Sequence, residues 1–446
     1  SVATTTVNGT TEASIAAGAR VNSDLDDPLV DEIAPNAATA QGVTVDARAS
    51  TLQISLAGGI AKGNTGALGA AFGIQTMDRD VLAFIGTGAV VESRAGVSVA
   101  ALSDDILINF AVGGSSSSSF SGAGSLSLGV LDRTTSASID GTVITAGSVS
   151  VYADSNLFGG MIAGAVALSS GGSAVGAAAA PLVTINQTEA EIRGNALITS
   201  NAETALVRTV DGETRTMRGV DVFANDTILS NTAAISGSSS SGGFSGAGSF
   251  SGSFLFGTNE VINGDNPVPS LDYENASATG NASVTEALIA DGAVVTTQGN
   301  VTLHANAFAE AAAITGAVAV ASGGAGIGLS GSVIARTSVV QAVIGNASVT
   351  ADAIRGASTL PDDGGTRTVR GVDVSADSDL VIVGLTVAGS GSSGFAGAGA
   401  ISIVVTDDET RAAIGAGAVV DTNGNVTIGS DSDLIMVFGA GSVAVG

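Results

Sequence analysis

The chain has 446 residues, with 41 acidic against 15 basic side chains for a net charge of −26, 63 Gly, 6 Pro, 45% hydrophobic residues and 3% aromatic. That apolarity excludes charge-driven disorder. The acidity, with Lys62 as the only Lys, excludes a nucleic-acid groove and a polybasic membrane anchor, and the lack of Cys excludes disulfides, Cys-ligated zinc and thiol catalysis.

The chain opens on Ala13-Ser-Ile-Ala-Ala-Gly-Ala, which matches Ala137-Ser-Ile-Asp-Gly further on, so it starts within the second half of a repeating unit. A first acidic cluster follows at Asp24, Asp26 and Asp27. Then comes the anchor of the repeat, Val43-Thr-Val-Asp-Ala, which returns as Val97-Ser-Val-Ala-Ala, Val149-Ser-Val-Tyr-Ala, Val220-Asp-Val-Phe-Ala, Val301-Thr-Leu-His-Ala, Val372-Asp-Val-Ser-Ala and Val426-Thr-Ile-Gly-Ser. Successive anchors lie 54, 52, 71, 81, 71 and 54 residues apart. The short spacing is the basic unit, and the long ones carry insertions at 204–219, 259–281 and 355–371. Two of these end alike, in Thr214-Arg-Thr-Met-Arg-Gly-Val-Asp-Val and Thr366-Arg-Thr-Val-Arg-Gly-Val-Asp-Val.

Within a unit the anchor strand leads through a polar corner and an apolar run to a Gly/Ser block such as Gly237-Ser-Ser-Ser-Ser-Gly-Gly. A second strand such as Ser125-Leu-Ser-Leu-Gly-Val-Leu follows, then an Ala-x-Ile-x-Gly stretch and a Gly corner such as Gly299-Asn300. Alternation at period 2 and β-branched residues mark the anchors as strands. The Ala-rich runs could read as helix, but Gly and Ser interrupt them within a turn or two, at about 1 kcal/mol per interior Gly. The sequence therefore predicts one all-β domain over 1–446, a right-handed parallel β-helix or β-solenoid of 52–54-residue repeats with insertions. One anchor and one Gly/Ser block per unit favour a single flattened turn, with two strands of a dozen residues or more and one short side, over two ordinary coils. No apolar run reaches the ~18 residues of a spanning helix, so no membrane span is expected.

The Val-x-Val-x-Ala anchors, the Gly-Asn corners at Gly299-Asn300 and Gly424-Asn425, the Ala-x-Ile-x-Gly stretches and the Gly-Ala-Gly runs resemble the giant repetitive surface proteins of bacteria. These are the filamentous-haemagglutinin-like and leukotoxin-like adhesins exported by type V routes. The resemblance implies an extracellular, cell-surface β-helical stalk engaged in adhesion, aggregation or biofilm. The secretion domain of that family has no counterpart in this sequence, and the start at Ser1 has no basic n-region or apolar h-region, so any export signal is expected to lie outside it. Neither end carries a capping element, which points to a window of a longer array or to ends covered by neighbours.

Acid pairs recur at expected corners: Asp104 and Asp105, Asp362 and Asp363, Asp377 and Asp379, Asp407 with Asp408 and Glu409, Asp431 and Asp433. Carboxylates two apart, joined by carbonyls from the next turn, could supply the six to eight oxygens of a calcium ion. We therefore hold Asp104, Asp105, Asp377, Asp379, Asp431 and Asp433 as calcium candidates against the plainer reading of solvated corners. Neither a Gly-Gly-x-Gly-x-Asp nonapeptide nor an EF-hand loop accompanies them. Calcium is the one cofactor considered. The acids recur with the repeat instead of forming one distinctive pair, which argues against glycoside hydrolysis. His304 is the only His, at a place where sibling anchors hold Asp46, Tyr152, Phe223, Ser375 and Gly429, which argues against a proton shuttle or metal ligand. No Gly block carries Gly-Lys-Ser/Thr and no Ser sits in a Gly-x-Ser-x-Gly elbow.

The insertions break the repeat and are expected to bulge from it as recognition sites. Arg208, Arg215, Arg218, Arg355, Arg367 and Arg370 concentrate there, placed to pair with an acidic neighbouring subunit or an anionic glycan, or locally with Asp211, Glu213, Asp362 and Asp363. The expectation is a non-enzymatic extracellular stalk or filament segment. Its partners would be copies of itself, neighbouring repeats, or a host or cell-surface glycan or protein. A subunit that polymerises head to tail is the alternative, and a polysaccharide-acting enzyme comes third.

Overall fold

The computed structural model describes residues 1–22, 40–210, 213–256, 282–362 and 365–446. The insertion 259–281 and the acids Asp24, Asp26, Asp27, Asp211 and Asp363 lie outside these residues. Among the described residues there is no helix, and nearly every strand pairs in parallel with its counterpart one turn away.

Each unit makes one flattened turn with three sides. The front side carries Gly42–Lys62, Gly96–Ser117, Ser148–Ser169, Gly219–Ser240, Asn300–Ala321, Gly371–Ser392 and Asn425–Val445. The back carries Val2–Ile15, Gly66–Ile85, Phe120–Ile139, Ser173–Ile192, Ser245–Phe256 with Ser283–Ile289, Ala325–Ile344 and Phe395–Ile414. A short third side closes the turn through strands such as Thr142–Thr145 and Leu197–Ser200. The long strands reach 22 residues, within the expected dozen or more, because the Gly/Ser blocks are mostly strand: Gly113 to Ser117 still belongs to the front, and only Ser118 and Ser119 turn the corner to Phe120.

All seven anchors fall in one register row, Val43 on Val97, Val149, Val220, Val301, Val372 and Val426. The 71- and 81-residue spacings therefore contain insertions that leave the ladder unshifted. From strand spacing and rise the body is a slab roughly 70 Å along the strands and roughly 30 Å along the solenoid axis.

The repeat motifs turn out to be core. Val97, Val99 and Ala101 of the front point inward with Ala137 and Ile139 of the back and Val143 of the short side, and their equivalents continue this cluster through the turns. At the far end of the slab the two long sheets converge. A Cβ at Gly69 would run into the carbonyl of Gly114, so only Gly fits that crossing. Inward Ser side chains fill the remaining space and bond across it: Ser115 to Ser121 at 2.6 Å, Ser238 to Ser245 at 2.8 Å and Ser230 to Ser253 at 2.6 Å. Small residues thus set the thickness of the slab, which has a three-walled base near the anchors and a thin blade near the Gly/Ser corners.

Candidate functional site

Among the described residues, two insertions form the part of the fold that departs from the solenoid. Leu206–Val210 pairs antiparallel with Glu213–Met217, and Ser358–Asp362 with Gly365–Val369. The two hairpins join through Thr216 and Thr359 into a four-stranded layer. The hairpins add a layer to the body: Arg208 and Arg215 of the first and Arg367 of the second reach the outer surface of the front sheet, over the anchors. Their necks are tied by the first residues of anchor strands. The Ser148 hydroxyl donates to the Thr204 carbonyl at 2.7 Å and accepts from the Gly219 amide at 3.0 Å. The Asn300 side chain donates to the carbonyls of Arg218 and Gly356 and accepts from the Gly371 amide. Gly219 and Gly371, with φ of 123° and 111°, re-enter the sheet where a side chain would strike the Asn300 and Asn425 carbonyls.

Beneath the hairpins runs a ladder made of the variable anchor position. Tyr152 stacks on Phe223 with ring centroids 5.5 Å apart, and Phe223 on His304 at 5.2 Å. Arg208 lies 4.0 Å over the Tyr152 ring and donates to Ser98, and burial holds its pKa below the ordinary arginine value. Arg215 lies 3.9 Å over Phe223, donates to Asp221 at 3.1 Å and meets Nδ1 of His304 at 3.1 Å. Arg367 repeats the ion pair two turns on, donating to Asp373 at 2.8 Å and to Ser375 at 2.9 Å.

The shared insertion ending therefore encodes a clamp, an Arg reaching the Asp six residues later. Because a guanidinium can only donate, Nδ1 of His304 accepts and Nε2 carries the proton given to Asp377 at 2.6 Å. Burial, aided by the Arg215 charge and opposed by the bond to Asp377, lowers the His304 pKa. This histidine is a neutral bridge between hairpin and sheet.

The remaining insertion arginines are placed at the rim. Arg218 gives its amide to Ser358 and its guanidinium to the Glu203 carbonyl. Arg355 donates to Gln298 at 2.7 Å and faces Glu203 at 3.6 Å. Arg370 is exposed, and its carbonyl accepts from Asn425. Local pairing does hold the clamp arginines, but with Asp221 and Asp373 of the sheet.

The six calcium candidates do not sit at corners. All six calcium candidates are mid-strand, where adjacent residues point to opposite faces. Asp104 faces out while Asp105, fully buried, faces in and holds Arg79 at 2.8 Å and Arg133 at 3.0 Å. Arg133 also donates to Asn186, Ser103 and the Asn156 carbonyl, and Arg336 pairs with Asp408 at 2.9 Å. These groups make a polar seam between the sheets, near Asp226, whose carboxyl burial pushes up to about 6. Asp377 and Asp379 stand on the outer face directly above Asp431 and Asp433. Among the described residues no group of three or more Asp, Glu or His is arranged to hold a metal ion.

A carboxylate pair absent from the candidates lies on the back sheet, where Glu189 is in register with Glu286. Burial and the charge of Glu191 push Glu189 up to about 8, and burial and both neighbours raise Glu286 well above the ordinary value. Glu286 accepts from Gln341 at 3.0 Å and Glu191 from Arg193 at 2.9 Å. The signal for this pair was register across an insertion, which spacing from the anchors alone does not convey. The ladder of Tyr152, Phe223 and His304 was in view as a variable column, and the Asp-Gly steps at 211–212 and 363–364 were its hairpin signal. Compared with protein-family models, curated proteins and solved structures, the chain matches none.

Proposed function

We propose that the chain is a non-enzymatic structural segment of an extracellular bacterial surface filament or adhesin, made to be continued turn upon turn along its axis. The observation that carries this reading is the unbroken ladder, in which Val43, Val97, Val149, Val220, Val301, Val372 and Val426 hold one register row and each turn pairs only with the turns before and after it. Such a ladder can be lengthened turn by turn without any change in its cross-section. The ionisable side chains support a structural role as well, since those inside the slab pair with one another and do not converge on a cleft. The resemblance in repeat grammar, the acidity and the lack of Cys support an extracellular setting.

A head-to-tail fibre or sheath subunit is the second reading, favoured by geometry. A turn of 54 residues advances the axis by only about 4.8 Å, so the chain gains little reach for its length and much width. Cryo-electron microscopy of the purified chain over a concentration series, with and without calcium, tests the proposal. Axial growth of particles supports it, and single slabs at every concentration, with Phe438 and Leu434 accessible to solvent, would speak against it.

A further inference from the structure

The blade is nearly free of charge. Residues 54–77 hold Lys62 alone, and 106–131, 157–188, 227–256, 311–335, 380–406 and 434–446 hold no Asp, Glu, Lys or Arg. Lys62 apart, every charged side chain of the chain lies outside these segments. On the front face of the blade the outward side chains are apolar and exposed, Val112 at 52%, Val166 at 51%, Ile235 at 61% and Ile60 at 90%. Blocks of this size on soluble proteins mark contact surfaces.

The pattern in this face is specific. One register row runs Gly58, Val112, Gly164, Ile235, Gly316, Val387, and the next outward row runs Ile60, Gly114, Val166, Gly237, Val318, Gly389. Large and absent side chains alternate along each row and again between rows, so every turn offers one knob and one hole two residues apart. The holes are real openings: a Cβ at Gly58 or Gly237 meets nothing within 4 Å, and at Gly164 or Gly316 it meets only a neighbouring knob at 3.8 or 4.0 Å. Nothing in the monomer's packing requires Gly at these outward positions, unlike inward Gly69.

We propose that this face binds the same face of a second copy, in a two-fold pair whose axis runs parallel to the solenoid axis between the two rows. That operation sets each turn against the same turn of the partner copy with strands antiparallel, and it exchanges the two rows. Every knob then meets a hole: Val112 on Gly114, Val166 on Gly164, Ile235 on Gly237, Val318 on Gly316 and Val387 on Gly389. Facing sheets pack at roughly 10 Å, and the overlapped blade measures roughly 1,000 Å² on each copy, above the ~800 Å² per partner of a stable interface. The hairpin layer over the anchors leaves only the blade open on this side. A fluid lipid surface would accept a random apolar face and gives no reason for the alternation, whereas self-pairing does.

The pairing is lateral, so it is separable from axial stacking. Sedimentation velocity would be run on the full chain carrying Leu434→Asp, which puts a charge on the free edge and stops axial growth. This background is expected to dimerise. Adding Gly237→Ile sets knob on knob twice by symmetry and should weaken the dimer about a hundredfold, with the circular dichroism and melting point unchanged. Adding Ile235→Gly to that variant moves the knob within its turn and should restore the dimer at the original composition. Association that is unchanged or stronger in Gly237→Ile, or no rescue by Ile235→Gly, overturns the proposal, as does a chain that stays monomeric at every concentration. Flotation with uncharged phosphatidylcholine vesicles by a monomeric chain would assign the face to lipid and equally overturn it. Absence of axial filaments in the parent chain, with the dimer intact, would leave this proposal standing and sink the stacking reading alone.

Discussion

Removing the Arg215 guanidinium should unlatch the first hairpin while the solenoid stays folded. Arg215 is 1% exposed and lies between Asp221, also 1% exposed, the Phe223 ring and His304. Substitution by Met keeps most of the volume but strands the Asp221 carboxylate in a buried site. Breaking such a pair costs roughly 3–5 kcal/mol and a desolvated cation–π contact adds roughly 1. The Thr302 hydroxyl, 2.5 Å from Asp221, still donates and offsets part of the loss. The net should be about 3 kcal/mol against the closed hairpin, an increase of about a hundredfold in its opening equilibrium. Hydrogen exchange read by mass spectrometry should show faster exchange at 206–217 and little change in the inward core near Val143 and Ile139. Arg215→Met with Asp221→Asn removes the stranded charge and should recover most of the protection. Equal exchange in Arg215→Met and the parent chain, or a double variant no better than the single one, would refute the clamp.

His304 is held neutral, so its contribution is complete above its ordinary pKa of 6.5 and is lost as pH falls below that value, because the unfolded chain takes up the proton first. Hairpin protection at 206–217 should therefore weaken from pH 7.5 to pH 5, after correction for intrinsic exchange, and His304→Gln should flatten that slope; an identical slope in both chains would count against the bridge. Glu189 has the opposite sign. With its folded pKa near 8 against 4.5 unfolded, stability falls as pH rises through that window, so Glu189→Gln should melt with the parent at pH 4 and above it at pH 9. Parallel melting curves across that range would dismiss the raised carboxyl. Gly69→Ala forces apart the sheets at the Gly114 carbonyl and should lower the melting point by several degrees, while outward Gly164→Ala should leave it within a degree or two. Similar effects from the two would mean that the blade is not closely packed.

The solenoid was legible because its determinants are local and repeated. Val97 and Val99 face inward by strand alternation alone, and one anchor with one Gly/Ser block per unit favoured one turn over two. The Gly/Ser blocks were set apart from the strands because Gly113 to Ser117 carries turn-forming residues. Their strand conformation comes from the neighbouring turns, which supply the pairing, and from Ser115 bonding Ser121 across the gap. The acids were assigned to corners on composition, but Asp105 faces Arg79 and Arg133, which are 26 and 28 residues away and meet it only through the fold. The hairpins were seen as insertions, but their docking on the front sheet was not foreseen. Their docking depends on Arg215 finding Phe223 and His304, and His304 lies 89 residues on in the next turn. The variable anchor column looked uninformative in sequence because a repeat reading discounts variation, yet that column is the surface the insertions cover.

Axial growth is the central claim, and cryo-electron microscopy across concentration tests it most directly. Particles roughly 70 Å wide that lengthen with concentration and diffract at ~4.8 Å along the direction of growth are the predicted result. Slabs that stay roughly 30 Å tall at every concentration, with the edge at Asn425–Val445 still open, would contradict it.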